Sequence, residues 1–181
     1  MAADRVAAPG KTVLIDSSSA IIIFKAGIIE HVIDFYSVAI ATSVYHELTR
    51  EGYAGADEFR TYCNESKIWV LSDAREIRNI TEKHEAMEGL GAGEKDTILL
   101  YQKGFGEFII IDDGRGAQYC KKNGIPYINA LLVPRLFFKV GWIDLEEKNR
   151  FMDGIIEHGR YASWVIEYAR SCDDKELAYF G

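Results

Sequence analysis

A chain of 181 residues, 48% hydrophobic and 27% charged, can bury one sizeable core and is too evenly composed for a disordered, fibrous or disulfide-scaffold protein. Its net charge of −7 argues against nucleic-acid binding by the whole surface. No apolar run reaches membrane-span length, and the opening MAADRVAAPGK lacks the apolar centre of a signal peptide, so an intracellular, cytoplasmic protein is expected.

Lys11–Ile15 is a short apolar run ending at Asp16 and predicts a buried strand. A helix is expected over Ser17–Ile29, with a second short piece at His31–Tyr36. Val38–Thr42 predicts another strand, followed by a helix over Ser43–Glu51 with Thr42 or Ser43 as N-cap. Ala54–Cys63 reads as helix and Ile68–Leu71 as strand. Asp73 and Glu76 form a capping pair for a helix reaching about Met87. Gly93 opens a helix through Lys103. Phe108–Ile111, the most apolar run, predicts a strand covered on both faces. Arg115–Asn123 is a helix closed by Gly124, and Pro126–Ile128 an edge-like strand. Asn129–Val140 is helical with Pro134 expected to kink it. One or two helices fill Asp144–Arg170, and a frayed tail is expected from Asp173. Short apolar strands alternating with amphipathic helices predict a three-layer α/β/α sandwich with a mainly parallel central sheet.

Cys63, Cys120 and Cys172 have neither CxxC nor zinc spacing and read as reduced thiols; the four histidines are scattered without HExxH. The charge is unevenly placed. Residues 1–113 hold 19 acids and 11 bases, and residues 144–181 hold nine acids and five bases. Between them, 114–143 contains no acid and carries Arg115, Lys121, Lys122, Arg135 and Lys139. That stretch directly follows Asp113 and suits a phosphate backbone.

Four acids stand where strand ends and helix starts would aim them at one place: Asp16, Glu47, Asp96 and Asp113. In an open α/β sheet, ligands bind at the carboxyl ends of the strands. Carboxylates gathered from distant sequence hold hard divalent cations, which activate water against a phosphodiester. Each acid alone also has a structural use: Asp16 as an N-cap, Glu47 and Glu94 at favourable places on the helix dipole, Asp112 or Asp113 in an Asp-Gly turn. Of the adjacent pairs, Asp96 is preferred over Glu94 as the metal-holding acid, and Asp113 over Asp112, with Glu94 and Asp112 as accessories. Rival sites lack their marks. Ser18 stands where a phosphoaspartyl hydrolase needs a second Asp, Gly91 and Gly93 do not complete GxGxxG, and there is no P-loop.

The ordered set VLIDSSSAI, SVYHEL, GAGEKDTILLY and IIIDDGRGAQYCKKNGIPYI resembles a PIN-domain ribonuclease, the last two blocks being similar to the VapC-like branch. The resemblance covers about residues 11–142, leaving 143–181 as a helical extension packed on the same domain. It implies a Mg²⁺- or Mn²⁺-dependent endoribonuclease with Asp16, Glu47, Asp96 and Asp113 as ligands and catalytic groups. Ser17 or Ser18 matches the family's small hydroxyl residue. The family's usual Thr-x-Asp reads Ile111-Asp112-Asp113 here, without the hydroxyl. Arg115, Lys121 and Lys122 are the expected phosphate contacts; Tyr45, Tyr119 and Tyr127 are candidate base-stacking residues. The implied partners are RNA, a second copy in a dimer, and an antitoxin protein, for which the apolar stretch Leu131–Val140 and Trp142 offers either a docking face or core. The alternative is a non-catalytic PIN-like RNA-binding or assembly subunit.

Overall fold

The computed structural model describes residues 10–72 and 87–181. The helix expected between Asp73 and Met87 lies outside these apart from its last residue. The chain runs β1 (Thr12–Ile15), α1 (Ser17–Lys25), α2 (Ile29–Phe35), β2 (Ser37–Ala41), α3 (Thr42–Leu48), α4 (Ala56–Asn64) and β3 (Ile68–Leu71). It continues through α5 (Ala92–Gln102), β4 (Phe108–Ile110), α6 (Gly114–Lys122), β5 (Tyr127–Ile128), α7 (Val133–Lys139), α8 (Leu145–His158) and α9 (Ser163–Ser171).

The five strands form one parallel sheet in the order β3-β2-β1-β4-β5. β1 lies at the centre, with Val13 opposite both Val38 and Phe108. Val13–Ile15, Val38–Ala41 and Phe108–Ile111 are all buried, as runs without polar alternation require when helices cover both faces. The strand order reverses direction between β1 and β4. That reversal opens a crevice at their carboxyl ends, immediately before Asp16 and Asp112.

Element boundaries follow local chemistry. The first helix stops at Lys25 because Gly27 adopts φ +75° and turns the chain into α2. Thr42 does not cap α3. It is the first helical residue, and its hydroxyl donates to Leu71 O at 3.1 Å, tying α3 to the end of β3. Pro134 does not kink its helix. A 3₁₀ turn over Ala130–Leu132, capped by Asn129, delivers the chain so that proline falls in the first turn of α7, where no N–H is required. Asp144 and Glu147 close a capping box on α8 (2.8 and 3.0 Å). Leu131, Val133, Leu136 and Phe137 are core; Phe138 and Val140 are exposed. Phe137 sits 4.9 Å from the ring of Phe35 and 5.9 Å from Tyr36. Phe137→Ala is expected to cost about 3–5 kcal/mol, read by urea unfolding.

The segment after Asp173 is docked. Asp174–Leu177 forms a 3₁₀ turn, Leu177 is buried, and Phe180 packs 5.1 Å from Phe108. The Tyr36 hydroxyl donates to Phe180 O (2.7 Å), the Tyr179 hydroxyl to Glu107 O (2.9 Å) and Lys11 Nζ to Tyr179 O. These aromatic contacts close the amino end of the sheet, opposite the crevice.

Candidate active site

Asp16 follows β1 and is 1% exposed. One oxygen caps α1 by accepting from Ser19 N–H (3.0 Å), and the other accepts from the Ser18 hydroxyl (2.5 Å). Burial raises its pKa above 3.8 and the Asp113 charge adds to the rise, against the downward pull of the Ser18 and Ser19 donors.

Asp113 caps α6, accepting from Arg115 N–H (2.8 Å) and Gly116 N–H (3.4 Å). Asp112 points elsewhere. Its carboxylate accepts from Ala130 N–H (3.1 and 3.2 Å) and from the Tyr161 hydroxyl, which joins the end of β4 to the α8–α9 connection. Burial pushes the Asp112 pKa up to about 6; Asp16 adds to the rise, while Tyr161, Ser19 and Ala130 pull it down. The buried Ser19 hydroxyl lies beside both Asp16 and Asp112 and makes no hydrogen bond of good geometry to either.

Glu47 projects from α3 and accepts from the Ser17 hydroxyl. It faces Gly93 of α5 so closely that a Cβ on that glycine would lie 3.2 Å from Glu47 Oε2 and 3.1 Å from Val44 Cγ2. Glu94 follows. It accepts from Gly91 N–H at 3.2 Å, and its carboxyl carbon lies 3.8 Å from where a Cβ on Gly116 would stand. Its pKa is raised by partial burial first, then by the charge of Asp113 and, further down, of Asp16 and Glu47. Glu94 therefore lies among the acids of β1, α3 and α6. Asp96 is 2% exposed and three residues past Gly93, hence on the helix face that α5 turns toward Glu47. Glu94 reaches the region from its rim, while Asp96 is buried further along α5.

Among the described residues no Lys or Arg forms an ion pair with Asp16, Glu47, Glu94 or Asp113. The donor set is all oxygen, which suits Mg²⁺ or Mn²⁺ over softer metals. No three His, Cys, Asp or Glu side chains among the described residues converge tightly enough to cage one ion. The set fits an ion held by one or two carboxylates with water completing its shell, the usual habit of Mg²⁺.

A family model described as a PIN domain, DUF3368, matches residues 12–168. The chain belongs to the PIN-domain family. No curated protein and no solved structure matches it. PIN domains are generally nucleases that use divalent metals, and this PIN domain has the nuclease-type fold of its family. The match runs through α8 and into α9, past Trp142. Among the described residues no helix is long and apolar enough to cross a membrane.

The basic stretch of the sequence divides in two. Arg135 donates to Ala169 O (2.9 Å) and Cys172 O, and Lys139 to Asp174 O, so both bind the C-terminal segment. Arg115, Lys121 and Lys122 instead line a cavity on α6, with Arg115 Nη1 donating to Gly89 O at 3.1 Å. Three contributors were not evident from sequence. Gly93 had only its place beside two acids as a signal. Tyr161 lies 49 residues from Asp112, with no local signal. Gln118 carries no motif.

Proposed function

We propose that this PIN domain is a Mg²⁺- or Mn²⁺-dependent endoribonuclease that hydrolyses RNA phosphodiester bonds in the crevice between β1 and β4. The observation that carries this reading is the gathering of Asp16, Glu47, Glu94 and Asp113 from four separate elements, with Asp113 raising the pKa of both Asp16 and Glu94. A purely structural subunit gains nothing from such repulsion. One or two of Asp16, Glu47, Asp96 and Asp113 would hold the cation directly and the others through its water shell, with Glu94 as the rim acid. A bound divalent ion supplies an activated water and neutralises charge on the scissile phosphate. Ser17 orients Glu47 and Ser18 orients Asp16, which makes both hydroxyls positioning groups. Asp112 anchors Ala130 and Tyr161 and steadies the end of β4. Arg115, Lys121 and Lys122 hold flanking phosphates.

The finer reading follows the resemblance: a cytoplasmic toxin of the VapC type, dimeric, restrained by an antitoxin. Phe138, Leu145, Trp164 and Tyr168 are exposed and give that partner an apolar surface.

The test is incubation of the purified protein with a mixed panel of RNAs in Mg²⁺, Mn²⁺ or EDTA. Cleavage in either metal and none in EDTA is expected. Absence of cleavage together with absence of Mg²⁺ or Mn²⁺ binding by calorimetry would sink the nuclease reading in favour of a non-catalytic subunit. Gly93→Ala probes the geometry. The gain in helix propensity, about 1 kcal/mol, offsets the crowding, so stability should change little. Glu47 must shift by a few tenths of an ångström, and cleavage is expected to fall by about tenfold or more, measured as initial rate.

A further inference from the structure

The acidic crevice accounts for the carboxylates but leaves the outer face of α6 without an occupant. A cavity of about 580 Å³ lies between that face and residues 88–90. Arg115, Gln118, Tyr119 and Lys122 recur at three- and four-residue spacing and so form one stripe along it, with Lys121 beside them. Leu90, 9% exposed, provides an apolar surface, and the Tyr119 ring, partly buried against the core, an aromatic one. The Arg115 bond to Gly89 O holds the facing segment in place. Asp113 caps the same helix, and Tyr119, six residues on, lies about 9 Å from it along the axis. The cavity thus adjoins the crevice.

An aromatic face beside an apolar surface accepts a flat ring, and three cations around it accept the phosphates on either side. Glu88 and Gln118 add selectivity. A carboxylate only accepts hydrogen bonds, and the two N–H groups of an exocyclic amino group offer Glu88 more than the single N3–H of uracil, while the Gln118 amide meets the ring nitrogen or carbonyl beside it. A paired, stacked base has no free face and its Watson–Crick edge is taken, so the ligand must be unpaired. We propose that this cavity is a nucleotide subsite: it stacks an unpaired base of single-stranded RNA on Tyr119, next to the scissile phosphate, and prefers an amino-bearing base to uracil. The position next to the scissile phosphate rests on the nuclease reading; the binding itself does not.

The experiment is fluorescence anisotropy in EDTA with labelled octamers of adenosine, cytidine or uridine, and an RNA duplex as control. The wild type is expected to bind the adenosine and cytidine octamers about tenfold more tightly than the uridine octamer or the duplex. Tyr119→Leu, which keeps the apolar packing, should weaken binding of the first two about tenfold, and Tyr119→Phe should restore it. Exposed Glu88→Gln should narrow the gap between amino-bearing bases and uracil without weakening uridine binding, and it decides the matter if Tyr119→Leu does not fold. Unchanged binding by a folded Tyr119→Leu, equal binding of uridine and adenosine octamers by the wild type, or preference for the duplex overturns the subsite. The same octamers incubated with Mg²⁺ separate the two readings. Cleavage by the wild type with unaltered Tyr119→Leu binding removes the subsite and leaves the nuclease. Tyr119-dependent binding by a wild type that cuts neither these octamers nor the mixed RNA panel and binds no Mg²⁺ or Mn²⁺ by calorimetry removes the nuclease and leaves a nucleotide site without its scissile neighbour.

Discussion

Replacing Asp16 by Asn is expected to reduce metal-dependent RNA cleavage about 10³-fold or more while leaving the protein at least as stable as the wild type in EDTA. The two effects have separate causes. Asn caps helices about as well as Asp, so the bond from Ser19 N–H to the side chain persists. What disappears is a buried negative charge that burial and Asp113 both disfavour. Catalysis needs that same charge to hold a cation. Melting in EDTA and initial cleavage rates, measured on one preparation, read both effects. A fully active Asp16→Asn protein would remove this carboxylate from the mechanism. Glu47→Gln gives an independent check, because Glu47 is exposed and its loss does not threaten the core.

Mg²⁺ is expected to raise the melting temperature by roughly 5–10 °C at pH 7.5 when present at about 100 times its Kd, corresponding to about 2.7 kcal/mol for a chain of this size. The gain should vanish toward pH 4.5 and be largely lost in Asp16→Asn. The sign follows from the carboxyl pKa values. Asp16, Glu94 and Asp112 are all raised in the folded state, Asp112 to about 6. Between their ordinary values near 4 and their folded values, the native protein binds more protons than the unfolded chain. Each group therefore takes stability away as pH rises through that window. Metal returns the share lost through Asp16 and Glu94 at neutral pH, and protons displace metal at acid pH. In EDTA the stability gap between Asp16→Asn and wild type should open as pH rises from about 4. A metal-induced gain independent of pH, or equal in the variant, would contradict this account.

The sheet was readable because its strands are short, wholly apolar runs ending in acids: VLI before Asp16 and FIII before Asp112. Covered strands cannot alternate, and a carboxylate at the end of one is conspicuous. Features fixed by distant contacts were not readable. The tail expected to fray is held by Phe108, Tyr36 and Glu107, between 70 and 150 residues away in sequence. Pro134, expected to kink a helix, instead begins one, because Asn129 caps a 3₁₀ turn ahead of it. In the candidate site, the acids could be listed from sequence but not oriented. Asp112 and Asp113 diverge because Ala130 N–H and Tyr161 claim the first. The close approach of α5 to α3, which brings Glu94 to the region, depends on Gly93 passing Glu47 without a side chain.

The clasp at the amino end of the sheet also sets a clock. Lys11 enters beside β1, yet its partner Tyr179 lies 168 residues later. At about 5–20 residues per second, a ribosome delivers that partner roughly ten to thirty seconds after Lys11. From the synthesis of β4 until then, the face of Phe108 that Phe180 covers stays open to solvent. A nascent copy thus covers the amino end of its finished sheet only once Tyr179 and Phe180 have been made.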